Sequence, residues 1–191
     1  MTQVTEKPKY LNGISTEQLF GTLDVIKETP ELGKMQFRAT NRWINGAHNR
    51  STIKDFYGAG QEDQSRTSAF VIDAGEPALL LGTDTGANPA EYLLHALAAC
   101  LTTSLVYVAS ARGVRLESVE STLHGNMDAR GALGISDEVR NGFTDIKATF
   151  KVKADATSEK IQELIDRAQE RSAVFDMVAH GVPVDVDLMV Q

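Results

Sequence analysis

The 191-residue sequence predicts an α+β fold built on antiparallel sheets. Two observations carry this. The predicted elements run three strands, helix, two strands, helix, strand, so the strands come in hairpin-like blocks instead of alternating one by one with helices. The middle of the chain also holds one long apolar helix with too few polar positions to stay wet on any face. One sheet covers one side of such a helix. A second sheet, from a partner subunit, would cover the other, so the pattern predicts a homodimer.

Residues 1–13 are polar and read as mobile. Ser15 opens a helix, with Gln18 three residues on completing a capping box and Leu19, Leu23 and Ile26 forming its stripe. Pro30 and Gly33 end it. Residues 1–34 are thus an N-terminal appendage with one helix, and 35–191 the main domain.

From Met35 the pattern alternates: Met35, Phe37 and Ala39 against Gln36, Arg38 and Thr40. Asn45-Gly46 marks a two-residue hairpin. A second strand is expected over about 49–57 and a third over 68–73. Residues 81–87 read as a loop by composition. Asn88 then suits an N-cap, Pro89 the first helical position and Glu91 the third, and Arg112 and Gly113 close the helix. Strands follow over about 115–127 and 143–153. The second alternates Ile146, Ala148, Phe150 and Val152 with Lys147, Thr149, Lys151 and Lys153. An amphipathic helix starts near Ser158, with Ile161, Leu164, Ile165 and Ala168 at helical spacing. A short helix over about 173–179 precedes Gly181, and Val184, Val186, Leu188 and Val190 make a last strand.

Composition narrows the function. Lys and Arg number 19 against 26 Asp and Glu, a formal charge of -7, which argues against a phosphate-backbone binder, so no nucleic-acid partner is expected. With one cysteine, Cys100, no intramolecular disulfide can form. The first residues lack the basic start and apolar core of a secretory signal, so the cytoplasm is the expected compartment. Residues 92–109 carry no formal charge over 18 positions, but His95, Thr102, Thr103 and Ser104 interrupt them. A buried core helix, and no membrane partner, is the expectation.

Cys100 has two readings. It is a small buried residue, or it is a reactive thiol. About three turns into its helix, it draws little from the dipole and needs a nearby cation to stabilise its thiolate. Arg42 and Arg50, flanking the first hairpin, are the candidates. Glu91 is either the capping-box carboxylate or the group that orients such an arginine. His48, His95, His124 and His180 form no pair at metal-site spacing, and no phosphate-cradling glycine loop is present, so neither metal nor cofactor is expected.

The run from Gly86 to Leu101, Gly-Ala-Asn-Pro-Ala-Glu-Tyr-Leu-Leu-His-Ala-Leu-Ala-Ala-Cys-Leu, resembles the central-helix signature of the OsmC/Ohr family, the osmotically inducible and organic-hydroperoxide-resistance proteins. Arg171-Ser172-Ala173-Val174-Phe175 and His180-Gly181-Val182-Pro183-Val184 resemble its second motif. The similarity spans roughly 35–190. It implies an OsmC-like domain over 35–191, with antiparallel sheets wrapped around long central helices in an intertwined homodimer.

The resemblance also implies chemistry. In active members a thiolate attacks a peroxide, an arginine activates it, a glutamate holds the arginine, and a second cysteine resolves the sulfenic acid as a disulfide. Carried over, Cys100 matches the peroxidatic cysteine and Arg50 the arginine, with Arg42 the second choice. Glu91 matches the glutamate of some branches; the hydroperoxide-resistance branch has its glutamate one position earlier, where this chain has Ala90. Ser172 stands where the second cysteine is expected, so the implied reaction needs an external thiol reductant. The partners implied are a small-molecule peroxide, probed best with organic ones, or, for a non-catalytic member, a small hydrophobic ligand at the dimer interface.

Overall fold

The computed structural model describes residues 10–190. The reading of 1–9 as mobile lies outside them. Residues 10–13 are not loose: β1 (Tyr10–Leu11) pairs with β2 (Ile14–Ser15) around Asn12 and Gly13, both at positive φ. The described residues gather into two compact units, one formed by residues 15–93 and the other by residues 10–14 together with 94–190.

The unit of residues 15–93 begins with α1 (Thr16–Glu28), whose N-cap Ser15 accepts a hydrogen bond from the Gln18 amide at 3.3 Å. A 3-10 turn, Pro30–Gly33, follows. The main sheet has three antiparallel strands in the order β3 (Thr40–Asn45), β4 (His48–Ile53), β7 (Phe70–Ala74). Between β4 and β7 in sequence lies a small hairpin of β5 (Phe56–Gly58) and β6 (Gln61–Asp63).

Three expectations are corrected here. The first strand starts at Thr40, not Met35: residues 35–39 find a single bridge, Gln36 to Tyr57, and Phe37 remains 70% exposed. Alternation alone does not make a strand without a neighbour along its length. The second strand stops at Ile53 and restarts at Phe56, because residues 56–58 turn to pair with β6. The hairpin turn sits one residue later than Asn45-Gly46. Asn45 pairs with His48, so Gly46 and Ala47 are the central residues, and Gly46 takes the positive φ of +56°.

α2 (Pro89–Ala111) is the long helix of the prediction. By length and composition it could cross a membrane; in the fold its second half contributes Leu105 and Ala109 to the core. Leu97, Leu101, Leu105 and Ala109 recur every four residues along its buried stripe. The opposite stripe, His95, Ala99, Thr103 and Tyr107, is exposed.

In the second unit β8 (Leu116–Asn126) and β9 (Asp145–Ala154) form an antiparallel pair, with the one-turn α3 (Ala129–Ala132) between them. α4 (Ser158–Arg171) follows. Leu105 and Ala109 from α2, Val114, and Leu164 and Ala168 from α4 make the core, and Val119 and Val152 pack onto it from the sheet. From the face predicted for β9, Val152 packs on this core while Ala148 is exposed; from the stripe predicted for α4, Leu164, Ile165 and Ala168 reach it. α5 (Ala173–His180) ends at Gly181, φ +75°.

The predicted last strand is corrected. Residues 181–190 belong to no sheet, and Val184 and Val186 are 77% and 90% exposed. The alternation is that of a half-buried strand, yet among the described residues no strand lies beside it to supply the ladder.

Candidate functional site

Cys100 lies on α2 and is partly buried, with its thiol free. The surface it shares by helical rotation includes Ala96 and Ser104. Ser172, at the position of the expected second cysteine, is 2% exposed and joins α4 to α5. Its hydroxyl accepts a hydrogen bond from the Phe175 amide at 3.2 Å, capping α5. A thiol there would be a weaker acceptor, so this serine has a helix-capping use of its own.

Arg50 lies on β4. The β4–β7 register places it directly across from Asp73. Its Nε donates to Asp73 Oδ1 at 2.8 Å and its Nη2 to Asp73 Oδ2 at 3.0 Å, a two-point charge-assisted pair. His48, two residues earlier on the same face of β4, places Nε2 at 2.7 Å from Asp73 Oδ1. The Arg50 guanidinium first, and then His48, hold the Asp73 carboxyl down from its ordinary 3.8 to about 2. The same pair raises Arg50 above its ordinary value.

The backbone of Asp73 is held too. The Tyr92 hydroxyl donates to its carbonyl at 2.6 Å. Gly86 passes so close to that carbonyl that a Cβ would collide with it, so no other residue fits there without a shift. The Gly75 amide donates to the Ala87 carbonyl at 3.3 Å, fastening the same loop to the end of β7.

Glu91 closes the start of α2. Its Oε2 accepts from the Asn88 amide at 2.8 Å, while Asn88 Oδ1 accepts from the Ala90 amide at 2.7 Å. This is the capping arrangement expected from Asn88, Pro89 and Glu91. Asn88 Nδ2 donates to Glu76. Among the described residues no hydrogen bond or ion pair joins Glu91 to Arg50; the carboxylate on Arg50 is that of Asp73. Arg42 pairs with Arg50 across the β3–β4 ladder as backbone neighbours. Among the described residues no three His, Cys, Asp or Glu side chains gather so as to hold a metal ion.

Sequence reasoning named Arg50 and missed Asp73, its partner, and His48, which shares that carboxylate. One signal was available: His48 and Arg50 stand two apart, the spacing of side chains on one face of a strand.

A long apolar helix carrying a single cysteine, packed on an antiparallel pair and followed by two short helices, defines an α+β protein of a recognisable class. The family model for OsmC-like protein matches residues 82–187, more than half of the chain, and the chain belongs to that family. Solved structures agree on the fold. An OsmC-like protein from Mycoplasma pneumoniae superposes with a TM-score of 0.60 at 17% identity, covering 75% of this chain and 87% of that one. An OsmC-like protein of unknown function from Vibrio cholerae gives 0.52 at 14% identity, covering 74% and 92%. An organic hydroperoxide resistance protein OsmC from Legionella pneumophila gives 0.50 at 16%, covering 74% and 89%. No curated protein matches the chain.

Proposed function

We propose that the protein reduces peroxides, organic ones above all, with Cys100 as its single peroxidatic cysteine and an external thiol as reductant. The observation that supports this most is the free, partly accessible thiol of Cys100 inside the matched family segment. The Legionella relative, an organic hydroperoxide resistance protein, points to the same substrate class.

In this reading the Cys100 thiolate attacks one oxygen of the peroxide. The O–O bond breaks, the alkoxide leaves and takes a proton to become the alcohol, and the sulfur becomes a sulfenic acid. With Ser172 in place of a resolving thiol, an external thiol attacks the sulfenic sulfur and water leaves. A second thiol then attacks the mixed disulfide and frees Cys100. Arg50 is the cation assigned to the thiolate, and Glu91 supports the site through the first turn of α2.

The protein acts as a cytoplasmic homodimer that binds neither nucleic acid nor membrane and uses no cofactor. The exposed stripe of α2 and the unpaired apolar residues 182–190 support a second copy, since both are faces patterned for cover. Steady-state consumption of cumene hydroperoxide with dithiothreitol tests the reaction. The wild type turns over and Cys100→Ser does not; equal rates for the two would refute it.

The buried, capping role of Ser172 favours a second reading, a non-catalytic protein that binds a small hydrophobic molecule at the dimer interface, with Cys100 as a wall residue. Native mass spectrometry of the purified protein distinguishes it. A retained apolar ligand together with no peroxide turnover supports this reading.

A further inference from the structure

We infer that Asp73 and His48 are positioning residues that hold the Arg50 guanidinium in one orientation, leaving its Nη1 edge free for an anion. The inference rests on the reading of Arg50 as the cation of the peroxide site, and it goes beyond it by naming the groups that prepare that cation.

The geometry carries it. Antiparallel register sets Arg50 and Asp73 opposite each other on neighbouring strands, so the pair needs no long reach. Both carboxylate oxygens are used, Oδ1 by Arg50 Nε and Oδ2 by Arg50 Nη2. His48 adds a third contact to the carboxylate, on Oδ1. The grip is therefore on the Nε–Nη2 edge of the guanidinium. Among the described residues the Nη1 donors have no partner. A planar fork held along one edge presents the other in a fixed direction, which suits an anionic thiolate or a developing oxyanion.

The anchor is itself anchored. Tyr92 holds the Asp73 carbonyl from the first turns of α2, and Gly86 leaves room for that carbonyl at the loop. Strand and helix start thus fix the same residue. An arginine free to sample rotamers would lose this preparation, and a small misplacement of a catalytic group carries a large rate cost.

The test has two arms. In the first, nitrogen-15 NMR follows the Arg50 Nε–H. The wild type gives a resolved signal protected from exchange, and Asp73→Asn, which keeps the shape and removes the charge, loses it. In the second arm, kcat/KM for cumene hydroperoxide falls about 10–100-fold in Asp73→Asn. Asp73→Glu, which restores the charge on a longer arm, recovers part of it. A merely structural aspartate would show no such recovery by charge. An unprotected Arg50 Nε–H in the wild type overturns the inference, even where a variant fails to fold. So does a protected signal that persists in folded Asp73→Asn. If the wild type consumes no peroxide, the peroxidase reading fails, and the NMR arm, with His48→Ala beside Asp73→Asn, still decides whether Asp73 and His48 hold Arg50.

Discussion

Arg50 and Asp73 face each other across the β4–β7 ladder, joined by hydrogen bonds of 2.8 and 3.0 Å. The pair is made by backbone register, so its geometry is inherited from the sheet. That makes its dependence on acid calculable in sign.

The Asp73 carboxyl is held at about 2 in the folded chain, against an ordinary 3.8. A group with a depressed folded value contributes stability that is fully present above its unfolded value and is lost as pH falls through the folded one. Denaturant unfolding from pH 7 down to pH 2 is expected to show the wild type more stable than Asp73→Asn above about pH 4. The gap narrows below that and closes near pH 2. A gap that stays constant to pH 2 would contradict the ionic role of Asp73.

Asn12 fastens the start of the chain to the second unit. Its Nδ2 donates to Ser110 Oγ at 3.1 Å and to the Val114 carbonyl at 2.9 Å, and its Oδ1 accepts from the Leu116 amide at 2.8 Å. Asn12→Ala is expected to cost about 1–3 kcal/mol in urea unfolding, by leaving partly buried groups unpaired. Asn12→Gly relieves the φ of +53° and separates backbone strain from the lost bonds. If both variants match the wild type, the anchor contributes nothing.

Leu105 and Leu164 are fully buried at the meeting of α2 and α4. Leu164→Ala is expected to cost about 2–5 kcal/mol in the same measurement, through lost burial and the cavity left behind.

Ser172→Ala removes the cap of α5 and is expected to cost about 1 kcal/mol. Ser172→Thr keeps a hydroxyl and is expected to fall between the two. A Ser172→Ala variant as stable as the wild type would show that the cap is not what the serine is for.

Much of the fold was legible because its signals are local. Ser15 with Gln18, and Asn88 with Glu91, are spaced three apart as capping boxes; Ser15 caps the Gln18 amide, and at Asn88 both the cap and the return bond to Glu91 form. The stripe of α4 puts Leu164, Ile165 and Ala168 at the core, and the alternation of β9 puts Val152 there but not Ala148, which is exposed. What was not legible is set by neighbours distant in sequence. Residues 184–190 alternate like a strand and pair with no strand among the described residues. Phe37 alternates correctly and lies outside any strand. In the candidate site, Cys100, Arg50 and Glu91 are named from the resemblance to the family. The carboxylate on Arg50 was missed because Asp73 is 23 residues away and only the strand register brings it close. The mobility expected near residue 12 failed for the same reason, since the partners of Asn12 lie about a hundred positions on.

The central claim is that the Cys100 sulfur is a peroxide-reactive thiol. Brief exposure of the reduced protein to one equivalent of cumene hydroperoxide, followed by dimedone trapping and mass spectrometry, tests it most directly. The account predicts a dimedone adduct at Cys100, formed faster than on free cysteine and slowed in Arg50→Ala. An unmodified Cys100, under conditions that oxidise free cysteine, would contradict it.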